Sequence, residues 1–530
     1  MAKPHILVSE HLGERALALL GEAADVEAYD LLPEADFRRR LAEADAVIIR
    51  SAHSLRAEHL ELAPRLKVAA RAGAGVDNID IEAATQRGIL VINTPGANAV
   101  AAAEHTIGLL LAVMRRIVDA DRHVREGQWD RQQFFGWELR GRRLGIIGIG
   151  RVGTQVAKRA RGFDMDVYAY DPYVAPDTIR ERGAKPVERL EDLLALADVL
   201  TLHTPKTGPR LGRAELERLP RGAVVVNAAR GGLVDEDALA DLLEAGHIRA
   251  AALDVFSQEP PRLDHPLFRL PRVVVTCHLG GSTVEAQWAI GERVARAVLA
   301  ALEGQVPDGA VNLPVAAQDE RVDDLVETGR VLGRLLAFSG AKGRTLRVEP
   351  SGAAAGVTEL LSRAVLWGFL EAVGEESVNL VSAIAAARQR GMTAVAQTPV
   401  NGGEHRDREP GIRAWFDDDV AGAVEVTRRE EIRLRRFWGA RFDMGLSPYM
   451  LVTRHKDRPG IVGAIGRILG EAAINIATVE LGRNAPGGEA VMLLGLDNPV
   501  PDAVVRAIQA LDAISVVHSL NVGGEPAGVF

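Results

Sequence analysis

The stretch that most constrains the fold of this chain is Leu144–Gly153, LGIIGIGRVG. Its apolar residues lead into the glycine pattern G-x-G-x-x-G, and a helix-like segment, Thr154–Arg161, follows. A second apolar run, Asp166–Tyr170, then ends on Asp171. In a βαβ unit this spacing brings the backbone and the helix N-terminus close to a pyrophosphate. The stretch therefore predicts a dinucleotide-binding unit rather than an isolated glycine-rich turn.

Each residue of the glycine pattern has a separate physical role. Gly148 permits the tight turn, Gly150 lets the backbone approach the phosphates, and Gly153 lets the helix pack closely on the strand. Asp171 is positioned to accept hydrogen bonds from a ribose diol and would repel a 2′-phosphate. Because Pro172 rather than a basic residue follows it, the sequence favours NAD over NADP.

Composition limits the partners of the chain. Its 530 residues, 47% of them hydrophobic, are enough for several domains with their own cores. A net charge of −9 argues against nucleic acid as a partner, so local arginines would have to hold an anionic substrate. No apolar run is long enough to cross a membrane, and the N-terminus does not resemble a signal peptide. The single cysteine, Cys277, excludes an internal disulfide or a cysteine-based metal cluster, so we expect a cytoplasmic protein without a metal.

Two regions of alternating strands and helices precede residue 314. The strands are continuous apolar runs, as in parallel sheets that are covered on both faces. Two long helices, Ala97–Arg116 and Thr283–Glu303, are predicted to cross between these regions in opposite directions. The predicted strands of the first region are His5–Ser9, Ala46–Ile49, Val68–Arg71 and Leu90–Asn93; the later strands of the second are Asp198–His203, Ala223–Asn227, Ala250–Val255 and Arg272–Thr276.

The pattern of predicted helices and strands changes after Pro314. Amphipathic helices mix with strands up to about residue 446, which predicts a separate α+β module. The last 80 or so residues follow the order β-α-β-β-α-β, a pattern typical of ferredoxin-like domains. The predicted strands of this last unit are Met450–Arg454, Asn475–Leu481, Ala490–Leu496 and Ile514–Leu520, and its helices are Ile461–Glu471 and Pro501–Leu511.

Polar side chains follow three consecutive strands of the second region. Ligands of an open parallel sheet bind at the carboxyl ends of its strands, where Arg230, Asp254 with Glu259, and His278 are found. This set suits the dehydrogenation of a 2-hydroxy acid, with His278 as the base for the hydroxyl proton and Glu259 behind its imidazole. Arg230 would grip the substrate carboxylate, and Asp254 would orient the nicotinamide carboxamide. Taken singly, each could be a turn cap, an ion pair or a structural histidine; their convergence behind the glycine pattern favours the site.

Several segments resemble the D-isomer-specific 2-hydroxyacid dehydrogenases, and among them the long-form phosphoglycerate dehydrogenases. They are RAGAGVDNID (71–80), NTPGANAVAAAEHTIGLLLA (93–112), LGIIGIGRVG (144–153), VVNAARGGLVDEDAL (225–239), AALDVFSQEP (251–260) and CHLGGSTVEAQ (277–287). The resemblance implies two Rossmann-like lobes, an intervening α+β domain and a ferredoxin-like ACT domain. Its domain bounds are 1–96 with 285–314 for substrate, 97–284 for NAD, 315–446 for the intervening domain and 447–530 for the ACT domain.

The resemblance also assigns residues to roles. Arg230, Glu259 and His278 would be catalytic. The remaining assignments fall into three sets: for the cofactor Ala74, Gly148, Gly150, Arg151, Val152, Gly153, Asp171, Thr204, Ala228, Asp254, His278, Leu279, Gly280 and Gly281; for the substrate Arg50, Gly75, Val76, Asn98, Arg131 and Arg230; and for an L-serine effector His455, Asp457 and Asn475. Arg50 and Arg131 add two guanidinium groups to Arg230, and the free N–H groups of Gly75 and Val76 form a small anion nest, so a phosphorylated hydroxy acid is favoured over lactate or glycerate.

The implied activity is the NAD-dependent oxidation of (2R)-3-phosphoglycerate to 3-phosphooxypyruvate, the first step of L-serine biosynthesis. The resemblance further implies a homotetramer that is feedback-regulated by L-serine. Two alternatives stay open at this point: another D-2-hydroxyacid dehydrogenase, such as a glyoxylate or hydroxypyruvate reductase, and an NAD-sensing, corepressor-like binding protein without activity. The ACT-like unit could likewise serve only for dimerisation.

Overall fold

Four β-sheets organise the part of the chain that the computed structural model describes, residues 3–314, 322–375, 377–397, 410–417, 422–428, 430–483 and 485–522. Two of the sheets are parallel and two are largely antiparallel. This confirms the predicted α/β class with two Rossmann-like lobes and additional α+β units. The exact domain bounds stay a prediction.

The first lobe is built on a five-stranded parallel sheet in the order β2-β1-β3-β4-β5. Its strands are short and mostly buried, since runs such as AVII at 46–49 are apolar throughout. The elements are β1 (His5–Val8), α1 (Glu14–Ala23), β2 (Asp25–Ala28), α2 (Glu34–Leu41), β3 (Ala46–Ile49), α3 (Ala57–Glu61), β4 (Val68–Arg71), α4 (Ile81–Gln86) and β5 (Leu90–Ile92).

The second lobe contains the glycine pattern and a seven-stranded parallel sheet, ordered β12-β11-β10-β9-β6-β7-β8. Its strand order reverses beside β6, and ligands bind at such a switch point. The elements are α5 (Ala99–Met114), α6 (Ile117–Arg125), β6 (Arg143–Ile147), α7 (Arg151–Gly162), β7 (Asp166–Tyr170), α8 (Pro176–Glu181), β8 (Lys185–Pro186), α9 (Leu190–Leu196), β9 (Val199–Leu202), α10 (Arg213–Leu216), β10 (Ala223–Asn227), α11 (Glu236–Glu244), β11 (Ile248–Leu253) and β12 (Val273–Val275).

Two long helices join the lobes, as predicted. Helix α5 leads into the second lobe and packs on α7, whereas α12 (Val284–Leu302) returns and packs on α1. Thr283 caps α12 by accepting a hydrogen bond from the Ala286 N–H at 3.2 Å, which satisfies one of the free donors at the helix start. The carboxyl ends of both parallel sheets therefore face one cleft between the lobes.

The third module places three helices against a six-stranded sheet in the order β14-β13-β15-β16-β17-β18. Inside it, Glu371 binds two arginines, with Arg330 Nη2 and Arg334 Nη2 each 2.8 Å from its Oε1. The elements are α13 (Val322–Phe338), β13 (Thr345–Ser351), α14 (Thr358–Ala372), α15 (Ala383–Gln389), β14 (Thr393–Ala396), β15 (Gly411–Phe416), β16 (Val424–Arg428), β17 (Ile432–Phe437) and β18 (Ala440–Gly445).

The C-terminal module has the predicted β-α-β-β-α-β order and an antiparallel sheet, β20-β21-β19-β22. Its helices cover one face, and its other face packs against the third module through side chains that include Met450 and Val491. Arg334 of the third module also donates a hydrogen bond to the Val522 carbonyl at 3.3 Å. The elements are β19 (Tyr449–Lys456), α16 (Ile461–Glu471), β20 (Ile476–Arg483), β21 (Glu489–Leu496), α17 (Asp502–Gln509) and β22 (Ile514–Asn521).

Candidate active site

The glycine pattern forms a turn between β6 and α7 that opens into a large cavity between the lobes. Gly148 has a φ of +89°, a conformation that favours glycine. A side chain at Gly153 would overlap the Gly148 carbonyl, whereas the space beside Gly150 is open. The N-terminus of α7 lines the cavity, whose volume is about 1190 Å³. The turn therefore has the close packing and the open backbone that a pyrophosphate needs.

Two polar side chains border the turn where the rest of a dinucleotide would lie. Asp171 Oδ2 accepts the Ile149 N–H at 3.1 Å, so its carboxylate is fixed at the end of β7. Thr204 follows β9 and lies beside Gly148. Its Oγ1 is buried and has no hydrogen-bond partner among the described residues. A buried hydroxyl without a partner is costly, and a bound cofactor would supply one. Both residues fit NAD.

His278 and Glu259 form a hydrogen-bonded pair in a second cavity of about 480 Å³. The distance from His278 Nδ1 to Glu259 Oε2 is 2.7 Å, and Glu259 Oε1 accepts the Phe256 N–H at 3.1 Å. This arrangement leaves Nε2 of the half-exposed imidazole available to a ligand. The predicted base and its carboxylate partner are thus brought together from the loops after β11 and β12.

Asp254 directly follows β11, and its side chain binds the loop that carries His278. Its side chain is fully buried, and its oxygens accept the N–H groups of Leu279 and Gly280 at 2.8 and 2.9 Å. Burial alone would raise the pKa of Asp254, but hydrogen bonds from His105, Thr276 and Leu279 lower the pKa below its ordinary value. The side chain thus points into the loop that carries His278, and the role of Asp254 in orienting the carboxamide stays a prediction.

Three arginines from both lobes line the cavity beside His278. Arg230 follows β10; its Nη1 donates to the Ala229 carbonyl at 2.7 Å, and its Nε lies 3.3 Å from Asp77 Oδ2. Arg50 follows β3, where Nη2 donates to Gln287 Oε1 at 2.6 Å. Sequence reasoning missed the third, Arg71, at the end of β4. The signal was present, because the carboxyl end of a parallel strand is where ligands bind.

Arg71 is partly buried and links two backbone segments of the cleft. Its Nε donates to the Arg50 carbonyl at 3.0 Å and its Nη1 to the Gly75 carbonyl at 2.8 Å. Burial, followed by repulsion from Arg230, lowers the pKa of Arg71. Lys206, which also escaped prediction, lines the same cavity. The cleft is therefore cationic on both sides of the His278 imidazole.

The other predicted substrate residues divide into those that line the cavity and those that do not. Gly75 and Asn98 line it, as does the cofactor candidate Ala74, and Val76 packs partly against the core of the first lobe. Arg131 is corrected: it lies in an exposed short 3-10 helix after α6 and does not reach the cleft of its own chain. The remaining cofactor candidates, Arg151, Val152, Ala228, Leu279, Gly280 and Gly281, lie on the two loops or the helix start that border the cleft.

Comparison with known proteins agrees with this geometry. Residues 107–280 match the NAD-binding domain of D-isomer specific 2-hydroxyacid dehydrogenases, and residues 449–513 match the ACT domain. The D-3-phosphoglycerate dehydrogenase of Mycobacterium tuberculosis is 41% identical over 519 residues, which cover 96% of this chain and 98% of that protein. The enzyme of the same name from Methanocaldococcus jannaschii is 37% identical over 526 residues, covering 97% and 99%.

The chain belongs to the D-3-phosphoglycerate dehydrogenase family.

Members of this family of NAD-dependent oxidoreductases share their catalytic half with shorter proteins. The TT0316 protein of Thermus thermophilus superposes with a TM-score of 0.53 at 39% identity, covering 58% of this chain and 99% of its own. A glyoxylate reductase from Paecilomyes thermophila gives 0.54 at 28% identity, covering 58% and 98%. The predicted enzyme class and NAD as cofactor are confirmed by the family. No helix among the described residues has the length and apolar character needed to span a membrane.

The ACT domain of this phosphoglycerate dehydrogenase family member does not bring its three predicted effector residues together. His455 lies within β19 and is buried, which lowers its pKa. Asp457 Oδ2 accepts the Gly487 N–H at 3.1 Å, and this bond, with Arg483, lowers the pKa of Asp457. Asn475 instead donates to Asp497 Oδ2 at 2.6 Å.

The strand register shows why these residues are apart. His455 pairs with Ala490, whereas Asn475 precedes the pair of Ile476 with Leu496, at the other end of β21. Asn475 therefore lies at the opposite end of the sheet. The assignment of His455, Asp457 and Asn475 to an effector stays a prediction, and one chain alone does not bring the three together.

Proposed function

We propose that this chain oxidises (2R)-3-phosphoglycerate to 3-phosphooxypyruvate with NAD, the first step of L-serine biosynthesis. The observation that carries this proposal is the His278–Glu259 pair at 2.7 Å in a cleft that it shares with Arg50, Arg71 and Arg230. A histidine backed by a carboxylate can take a proton. Arginines on both sides can hold a substrate that is anionic at both ends.

The chemistry divides between the cofactor and the side chains. The glycine turn, Asp171 and Thr204 would hold NAD, which would supply the hydride acceptor. His278 Nε2 accepts the proton of the C2 hydroxyl while the C2 hydrogen leaves as hydride, and the hydroxyl oxygen becomes the carbonyl oxygen. Glu259 holds Nδ1–H and stabilises the imidazolium that forms. Arg230 binds the C1 carboxylate and fixes the orientation of C2.

The phosphate would be held on the first-lobe side of the cleft. Arg50 lies there in the loop after β3, and Gly75 of the predicted anion nest lines the same cavity. Arg71 is committed to the Arg50 and Gly75 carbonyls, so it positions these two loops and adds positive charge. Arg50 thus becomes the side chain that distinguishes a phosphorylated hydroxy acid from an unphosphorylated one.

The test is the rate of NADH formation with 3-phosphoglycerate, D-glycerate and D-lactate compared. We expect kcat/KM to be highest for 3-phosphoglycerate, and the His278→Ala variant to lose a factor of about 10²–10⁴ in kcat while NAD binding changes little. Arg50→Ala should raise the KM for 3-phosphoglycerate far more than that for D-glycerate. A preference for D-glycerate, or for glyoxylate or hydroxypyruvate in the reverse direction, would identify a different D-2-hydroxyacid dehydrogenase. No turnover of any of these would indicate a binding protein.

We further propose that L-serine is the effector, that the protein is a cytoplasmic homotetramer, and that the effector site is completed between two chains. The ACT domain supports an amino-acid effector, and the separation of Asn475 from Asp457 within one chain supports a shared site. L-Serine should inhibit NADH formation, and Asp457→Ala and Asn475→Ala should each weaken that inhibition without lowering the uninhibited rate. Equal inhibition of the parent protein and of both variants would exclude this site.

A further inference from the structure

We propose that Asp77 is an internal competitor of the substrate carboxylate: it occupies the guanidinium of Arg230 in the free enzyme and must be displaced when the hydroxy acid binds. This inference rests on the proposed function of the cleft and adds a residue that sets its affinity. Asp77 lies in the loop between β4 and α4 of the first lobe, whereas Arg230 follows β10 of the second. Their ion pair therefore spans the cleft at the catalytic cavity, which both residues line.

The hydrogen bonds of Arg230 determine which of its edges can bind a carboxylate. Its Nη1 donates to the Ala229 carbonyl at 2.7 Å, an acceptor next to it in the chain. Its Nη2 lies against Gly75, where a side chain would overlap it, and has no hydrogen-bond partner among the described residues. The edge formed by Nε and Nη2 is thus the one that remains for a two-pronged carboxylate contact.

Asp77 already takes half of that edge. Its Oδ2 is 3.3 Å from Arg230 Nε. The same oxygen borders the space beside Gly75, where a Cβ atom would lie 3.0 Å from it. A substrate carboxylate that bonds both Nε and Nη2 would have to lie where this oxygen now is. Two carboxylates on one guanidinium edge would also repel each other, so binding requires that Asp77 move away.

Displacement is possible because the pair is exposed. The side chain of Asp77 is 51% exposed and that of Arg230 is 29% exposed, so Asp77 can turn to water at little cost. Exposed ion pairs of this kind contribute little free energy. In the free enzyme the pair still matters, since Arg50 and Arg71 lie nearby and Asp77 partly offsets their mutual repulsion. Asp77 therefore lowers the affinity for carboxylates without blocking the site.

The experiment uses the two ends of the proposed substrate separately. D-Glycerate carries the carboxylate and inorganic phosphate carries the other anion; their binding to the full chain is measured by calorimetry with NAD present, alongside KM and kcat for 3-phosphoglycerate. We expect Asp77→Asn and Asp77→Ala to bind D-glycerate about two- to fivefold more tightly, as the loss of one exposed ion pair predicts. Phosphate affinity should rise less than D-glycerate affinity, because Asp77 contacts Arg230 rather than Arg50, and NAD affinity should change by less than about twofold.

Two control variants separate the contact from net charge. Glu82→Gln removes the same charge from an exposed position on α4 of the same lobe and should leave D-glycerate binding unchanged. Asp77→Glu retains the carboxylate and should bind D-glycerate more weakly than Asp77→Asn. The gain of Asp77→Asn should also shrink as salt is added, because exposed pairs are screened.

Weaker D-glycerate binding by both Asp77→Asn and Asp77→Ala would overturn the proposal, because Asp77 would then position Arg230 for the substrate. An equal gain for phosphate, or an equal gain in Glu82→Gln, would also overturn it, because the effect would then be general electrostatics. These binding measurements do not depend on turnover. An enzyme that fails to oxidise 3-phosphoglycerate would disprove the proposed function, while the role of Asp77 would still be decided by the two ligands.

Discussion

The backbone of His278 has a φ of +57°, in the left-handed region that residues other than glycine seldom adopt. Three hydrogen bonds to Asp254 hold this conformation: the His278 N–H donates to its carbonyl at 2.8 Å, and the N–H groups of Leu279 and Gly280 donate to its carboxylate. Asp254, whose carboxylate is buried, therefore holds the backbone that positions the His278 imidazole.

Asp254→Asn tests this support. An amide can accept only through its oxygen, and its NH₂ group would face the N–H of Leu279 or Gly280, so one donor loses its partner at a cost of about 1–3 kcal/mol. We expect kcat to fall by about tenfold to a hundredfold, as a displaced general base predicts, with NAD affinity reduced as well. Steady-state kinetics and NAD titration measure both. Asp237→Asn, an exposed change on α11, serves as the control, and an unchanged kcat in Asp254→Asn would contradict the expected role.

The convergence of the candidate catalytic residues could be predicted because parallel strands bring their carboxyl ends to one edge whatever the details of packing. Arg230, Glu259 and His278 follow three such strands, so chain order alone placed them together. Asp254 is different, because the sequence does not say whether a carboxylate at a strand end faces the cleft or the N–H groups of the next loop. Asp77 was missed because its importance depends on how the first lobe lies against the second, whereas Arg71 was missed although it ends a parallel strand.

Among the elements, the loop after β3 is organised by a single carboxylate from the loop after β1. Glu10 accepts four backbone N–H groups, those of residues 50 to 53, at 2.8 to 3.0 Å. Burial alone would raise the pKa of Glu10, but these four donors outweigh it and lower the pKa below the ordinary value of 4.5. The loop that presents Arg50 is therefore held in place by an ionised and buried side chain.

Glu10→Gln should loosen this loop. A carboxamide offers one acceptor oxygen to four donors, so we expect a loss of about 1–3 kcal/mol in unfolding free energy at neutral pH and a higher KM for 3-phosphoglycerate through Arg50. Because the pKa of Glu10 is depressed in the folded protein, its contribution is present above pH 4.5 and is lost as the pH falls through the folded value. Denaturation from pH 7 to 4 should thus show a smaller acid-side loss in Glu10→Gln than in the parent. Glu43→Gln, exposed on the same lobe, should match the parent.

Most helices and strands lie where the sequence predicts them, because the positions that are apolar in the sequence pattern are the positions that are buried in the structure. Strand β3 is apolar and buried at every position, and α16 has the predicted bounds, Ile461–Glu471. Strand β2 was not predicted. Its sequence, DVEA, has no apolar run, and as an edge strand it is exposed at both ends, so its pairing with β1 supplies the reason for its conformation.

At the scale of the whole molecule, the two central strands of the ACT sheet, β19 and β21, are covered on both faces, by the helices of the ACT domain and by the third module. Strand β21 accordingly lacks the alternation of a half-exposed strand: seven of its eight positions are buried. These two strands are therefore packed like part of a core, and they cover apolar side chains of the third module.

Truncation after residue 446 should expose that apolar face. We expect the shortened protein to melt at a lower temperature and to self-associate, because Met450, Val452, Val491 and Leu493 leave a buried cluster. Thermal melting and size-exclusion chromatography against the full chain check this. Truncation after residue 314, which removes the third module as well, provides the comparison. A well-behaved, fully active 1–446 protein would show that the interface contributes little.

The contact of Arg334 with Val522 is made to a main-chain carbonyl, and this has a consequence for how the ACT domain can communicate. Val522 directly follows β22, so a side-chain replacement there does not remove the acceptor, whereas a shift of the strand would. Arg334 shares Glu371 with Arg330. A shift of β22 would therefore also disturb the ion pairs that join α13 to α14. This contact therefore depends on the position of the strand end rather than on the identity of its side chains.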